Sequence, residues 1–236
     1  ARWLKKAVDS GHKAAPIDLD ELYLDGGPGV RAQPQKAVDL LKRAAESGET
    51  RALAKLGEAY LEGRGVRRDV REAYSLLKRA ADRGYVNAYD DIADIFLEGQ
   101  AGFGEDPERA VQWLRRAAQE GNASALTTLA ELRLEGRGSL PQNQAIGRQL
   151  LQEAIDKGDA YALVVLGDVY AEGQGVDADL AEAADWYRRA AERGHTSGLV
   201  KLGKLHFDGN GVEQDAGRAK ELLERAVARG DTNAKV

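Results

Sequence analysis

The sequence predicts an all-α fold, a solenoid of antiparallel helix pairs, and three observations carry that expectation. A glycine closing a run of the form A-x-x-x-G recurs at Gly11, Gly48, Gly84, Gly121, Gly158, Gly194 and Gly230, spaced by 36 or 37 residues along a chain of 236. A fixed period of this size belongs to stacked repeats, whereas length alone would suggest one or two globular domains. Within each period, two apolar stripes at helical spacing flank a glycine-containing turn. Equivalent positions of successive periods also hold the same kinds of side chain.

In chain order, residues 1–10 supply the second half of a second helix, with Trp3-Leu4 in its bulky slot. A first helix over 13–25 carries Leu19 and Tyr23 and stops at Asp25-Gly26, and Leu40-Leu41 mark the second helix that follows. The unit from Thr50 is the clearest. Ala52, Leu53, Leu56, Tyr60 and Leu61 make one stripe over 50–62, and Glu62-Gly63-Arg64-Gly65-Val66 breaks it, because glycines accept backbone angles that other residues resist. Asp69 can cap a second helix whose apolar face is Ala73, Leu76, Leu77, Ala80 and Ala81, and Gly84 ends it. First helices then recur over 87–98, 123–135, 160–172 and 196–208, and second helices around Trp113-Leu114, Leu150-Leu151, Trp186-Tyr187 and Leu222-Leu223. The slot after the first-helix leucine is small, holding Gly57, Ala93, Ala130, Gly167 and Gly203, with Asp20 as the exception. A small residue there lets the partner helix approach. The aromatic slot holds Tyr23, Tyr60, Phe96 and Tyr170 but departs to Arg133 and His206. The chain thus reads as one domain, 1–236, with six full repeats at about 13–48, 49–84, 85–121, 122–158, 159–194 and 195–230. Truncated repeats at both ends are expected to continue into flanking repeats of a parent protein, since solenoid ends normally carry polar caps.

Composition removes several function classes. Hydrophobic residues at 43% and charged residues at 31% are too apolar a mixture for a disordered chain. No apolar run reaches the roughly 18 residues of a membrane span. Zero cysteines exclude disulfides, thiolate metal sites and a cysteine nucleophile. A net charge of −5 argues against nucleic-acid binding, which needs a basic face.

The strings that look chemical have plainer explanations. Gly198 to Leu205 fits G-x-x-x-x-G-K, but Leu205 stands where a magnesium-binding hydroxyl belongs, and the string lies within a first helix whose N–H groups are already used. Asp208 to Asp215 resembles a calcium loop, yet occupies the slot of the ordinary turn Glu172-Gly-Gln-Gly-Val. His12 and His195 follow helix-ending glycines, in a slot that reads as a solvated turn, and His206 reads as packed. Arg133 and His206 are two repeats apart and do not converge. No catalytic, cofactor-binding or metal-ligating residues are therefore assigned, and the chain is expected not to be an enzyme. Phe103, in the glycine-rich loop Gln100 to Gly104, either tucks into the neighbouring repeat or stands exposed as a contact.

The L-G-x-x-Y of Leu56, Gly57 and Tyr60, the E-G-x-G-V that follows and the A-x-x-x-x-x-x-A-A-x-x-G of the second helix closely resemble the Sel1-like repeat family, a relative of the tetratricopeptide repeats. The resemblance implies a right-handed superhelix of helix pairs, with first helices lining a concave surface, used as a protein-binding scaffold. Against that frame charge placement becomes informative. The predicted first helices hold 15 acidic and 6 basic residues, against 24 and 28 elsewhere, and those over 87–98 and 160–172 hold no basic residue. The slot after the small residue, expected to point into the concavity, holds Glu21, Glu58, Asp94, Glu131 and Asp168, departing only to Lys204. Either this is an ordinary solvated face, or it is an acidic groove that steers a basic segment of a partner protein. The candidate contacts are Glu58, Asp90, Asp94, Glu131, Tyr161 and Asp168.

Repeat strings such as Pro34 to Leu41 are similar to those of the family's outer-membrane lipoprotein of alginate secretion. This resemblance implies a periplasmic, cell-envelope scaffold assembling an exopolysaccharide synthesis or secretion complex. The alternative is a cytosolic regulatory adaptor that binds or sequesters a partner.

Overall fold

The computed structural model describes residues 23, 24, 26, 31–138 and 140–230. The expected helix 13–25, the slot residues Trp3, Leu19, Asp20 and Glu21, and His12 lie outside them or nearly so. Among the described residues the fold is all-α, with eleven helices packed in consecutive pairs. They are α1 (Pro34–Glu46), α2 (Thr50–Glu62), α3 (Val70–Ala81), α4 (Ala88–Leu97), α5 (Pro107–Gln119), α6 (Ala123–Glu135), α7 (Gln144–Asp156), α8 (Tyr161–Glu172), α9 (Leu180–Glu192), α10 (Thr196–Asp208) and α11 (Ala216–Ala228). The chain divides into two compact units, Ala1–Glu120 and Gly121–Val236. The first unit holds α1 to α5 and the second α6 to α11.

Local chemistry sets the ends of these helices. The Asp69 carboxylate accepts from the N–H groups of Arg71 and Glu72, at 3.0 and 3.1 Å, satisfying two donors that a helix start otherwise leaves without partners. Asp179 caps α9 in the same way, and Asp106, Asn143 and Asp215 each accept from one such N–H at the start of α5, α7 and α11. Each capping residue also donates its own N–H to the carbonyl of the aromatic slot, as Asp69 does to Tyr60 (3.0 Å) and Asn143 to Arg133 (2.8 Å). Because that bond is backbone to backbone, the turn survives in the repeats where the slot has become Arg133 or His206.

Two close approaches explain the glycines that matter most. Gly65 has φ +74°, and a Cβ there would lie 2.3 Å from the Pro34 carbonyl oxygen at the start of α1. The second glycine of the turn therefore lets one repeat rest on the preceding one, and Gly211 does the same against Leu180. In the small slot, a Cβ on Gly167 would meet the Tyr187 ring at 2.4 Å, so glycine is what allows α9 to close on α8. The core between the pairs is built from buried alanines and large apolar side chains, among them Leu41, Leu77, Leu114, Leu151 and Tyr187 of the second helices. Phe103 tucks in: its ring lies 5.0 Å from that of Tyr74 and 5.6 Å from that of Phe96.

Candidate functional site

The six candidate contacts fall three to each unit. In the first unit, Glu58 on α2 and Asp90 and Asp94 on α4 lie in one acidic patch, which Asp91 and Glu98 complete. Lys55 pairs with Glu58 at 2.7 Å, one turn apart on α2. Neither the Asp91 nor the Asp94 carboxyl has a hydrogen-bond or ion-pair partner among the described residues. Desolvation pushes Asp91 up to about 7, helped by repulsion from Glu58, Asp94 and Asp90 and opposed by Lys55. Asp94 is raised to about 6, first by desolvation and then by Glu98 and Asp90, although the residue as a whole is exposed to solvent. Near neutral pH Asp91 is therefore partly protonated, where a dispersed carboxylate would be fully ionised.

In the second unit the same slots find partners from within. Asp168 on α8 accepts from the Tyr187 hydroxyl at 2.6 Å and pairs with the Lys201 ammonium at 2.8 Å. Burial, and after it the hydrogen bond to Asp168 and the charge of Asp168, raise the Tyr187 hydroxyl strongly. Glu131 on α6 accepts from the Tyr161 hydroxyl at 3.1 Å. Burial raises the Glu131 carboxyl, and the Tyr161 hydrogen bond partly offsets it. Tyr161 itself is raised to about 12 by desolvation and by the Glu131 charge. Its ring, still 41% exposed, lies against His195 with centroids 5.4 Å apart.

The expectation that His195 sits in a solvated turn is corrected here. The imidazole is half-buried against Tyr161 and its pKa is lowered by that burial, with Asp159 opposing. Asp159 is meanwhile held by Thr127, the one buried polar side chain among the described residues. His206 is half-buried as expected, its Nδ1 lying 3.2 Å from the Glu213 carbonyl. The two look-alike motifs are absorbed by the repeat. Gly198 to Leu205 lies inside α10, and in Asp208 to Asp215 the ends are a helix terminus and the cap of α11. Asp91, Tyr187 and Lys201 were not anticipated, though all occupy recurring slots; Asp91 and Lys201 both immediately precede the first-helix leucine slot.

Comparison with known proteins follows the repeat. A family model described as Sel1 repeat matches residues 1–12, 21–49, 50–85, 86–122, 123–159, 160–195 and 196–231. A Sel1 repeat protein from Oxalobacter formigenes is similar at 28% identity with a TM-score of 0.75, covering 92% of this chain and 88% of its own. A protective antigen of uropathogenic Escherichia coli strains with an SLR fold is similar at 30% identity and a TM-score of 0.70 over 99% of this chain, which spans 49% of that protein's length. An immunity protein from Pseudomonas aeruginosa shares the fold at 19% identity and a TM-score of 0.69, covering 92% of this chain and 81% of its own. No curated protein matches the chain. No helix among the described residues is long and apolar enough to cross a membrane.

Proposed function

The chain belongs to the Sel1 repeat family, and from that premise we propose that it is a non-catalytic scaffold that binds other proteins. The carrying observation is the carboxylate patch of α2 and α4, where Asp91 and Asp94 are raised to about 7 and 6 by desolvation and by the acids around them. A lysine or arginine arriving from a partner supplies the charge that Lys55 alone does not. Binding then returns the electrostatic cost stored in the patch and is steered by it at long range. Tyr161 and Glu131 offer a second contact of different character, an exposed ring edge beside a carboxylate already bonded within the protein.

A short lysine- and arginine-rich peptide, titrated into the protein at low and then raised salt, tests this. Binding should weaken steadily with salt and should fall about tenfold in the Asp94→Lys variant. Equal affinity of the variant at low salt would count against the patch.

The narrower reading, a periplasmic scaffold of exopolysaccharide assembly, is supported by the likeness of Pro34 to Leu41 to the alginate-secretion lipoprotein. Export signals on the parent gene and neighbouring polysaccharide-export genes would favour it. A parent retained in the cytosol would favour the regulatory adaptor instead.

A further inference from the structure

We propose that the groove between α3 and α5, in the first unit, docks an acidic, extended peptide segment of a partner protein. The groove encloses about 620 Å³, within the range of ligand-sized sites. Its lining contains three arginines, Arg109, Arg115 and Arg116, and no carboxylate. Tyr74 from α3 and Trp113 from α5 supply its aromatic surface, and Gln112 and Gln119 supply amide donors and acceptors.

The three arginines differ in their surroundings. Arg109 pairs with Asp106 at 3.0 Å, at the start of α5, and lies over the Phe96 ring. Arg116 lies over the Trp113 indole, 5.3 Å from the ring centre, and Trp113 is in turn backed by Tyr89 at 5.8 Å. Stacking of this kind leaves the guanidinium N–H groups available while reducing the side-chain freedom lost on binding. Arg115 is exposed and has neither kind of partner among the described residues. Lys78, one turn beyond Tyr74, is already held by Asp82 at 2.6 Å.

The geometry specifies the ligand. Arg109 and Arg116 are seven residues apart on one helix, about 10 Å at the usual rise. Carboxylates three residues apart on an extended chain of polyproline-II form share one face and lie about 9 Å apart. A segment of the form acidic-x-x-acidic with an apolar residue between would therefore place a carboxylate on each arginine and cover Tyr74 and Trp113. A long polyanion fits less well, because outside this short groove it would meet a chain of net charge −5.

The second unit provides an internal contrast. Its α9 repeats the tryptophan and arginine, with Arg189 4.1 Å over the Trp186 ring. It also places Glu182 where α5 has Arg109 and Asp185 where α5 has Gln112, and Asp185 pairs with Arg188. The same framework is thus charge-balanced in α9 and cationic in α5.

A synthetic peptide containing Glu-Leu-Ala-Glu, its Gln-Leu-Ala-Gln counterpart and a polyuronate oligosaccharide, each titrated into the isotope-labelled full chain at low salt, form the test. The acidic peptide should shift amides of α3 and α5 and the Trp113 indole, but not α9, and should weaken as salt rises. The Arg115→Glu/Arg116→Glu variant, checked for unchanged helicity, should lose about tenfold or more in affinity. The Asp94→Lys variant, which probes the acidic patch, should not lower it, so the two proposals fail separately. Equal binding of the neutral peptide, no shift at low salt, an unaffected double reversal, or binding of the oligosaccharide alone would each overturn the proposal.

Discussion

Asp94 on α4 and Asp168 on α8 occupy the same repeat slot and live in opposite electrostatic settings. Asp94 has no hydrogen-bond or ion-pair partner among the described residues and sits among Asp90, Asp91 and Glu98, whereas Asp168 is bonded to Tyr187 and Lys201. The difference comes from two neighbouring slots. The position before the first-helix leucine is Thr128 in the repeat that follows Asp94, and Lys201 in the repeat that follows Asp168. The large buried residue in the paired slot of the second helix is aliphatic in Leu114, in the repeat of Asp94, and a hydroxyl donor in Tyr187, in the repeat of Asp168. A repeat slot therefore sets which side chain points outward, and the adjacent repeat decides whether its charge is answered. The first unit keeps a patch suited to an outside cation, and the second spends the same residue type on its own cohesion.

The strongest way to break this contrast is Gly167→Val. The added side chain displaces the Tyr187 ring, 2.4 Å from the site of the new Cβ, and so removes packing and the Asp168 hydrogen bond together. A loss of about 3 kcal/mol in denaturant unfolding is expected. Asp168→Ala keeps the packing but leaves the buried Tyr187 hydroxyl and Lys201 without their acceptor, costing about 2 kcal/mol in the same measurement. The equivalent change in the first unit, Asp94→Ala, should cost nothing or stabilise.

Asp91→Asn sharpens the comparison from the other side. Because the folded carboxyl is raised to about 7, the native state holds a proton that the unfolded chain releases near pH 4. The stabilising share of this group is complete below about pH 4 and is lost as pH rises to 7. The variant should be more stable by about 1–2 kcal/mol at pH 8, and its stability should slope less between pH 4 and 7. A wild-type slope unchanged by the substitution would show that Asp91 is not the titrating group. The smallest effect is expected for Tyr161→Phe, about 0.5 kcal/mol for a partly exposed hydrogen bond. Carbon-detected titration should find the Glu131 carboxyl higher still, since that bond holds it down.

Much of the fold was legible because its determinants are local. Asp69 reaches N–H groups two and three residues away, the turn glycines act within a few residues, and the apolar stripes of α2 and α3 repeat at helical spacing. The small slot was legible too, since Gly57 and Gly167 recur where a partner helix must pass. Membership of the candidate patches was partly legible: the slot after the small residue identified Asp94, Asp168 and Glu131. Asp91 escaped because its importance lies in its closeness to Glu58, one repeat earlier. His195 looked like a turn residue because its stacking partner, Tyr161, belongs to the preceding repeat.

By itself, the sequence determined the repeat, the helix pairs, their caps and the places where helices approach, since each depends on residues close along the chain. The tertiary structure decided which acids are answered by cations, which histidine is covered and that Tyr74 lines one groove with the arginines around Trp113. Those properties depend on distance through space and on removal from water, and both are set where one repeat meets the next.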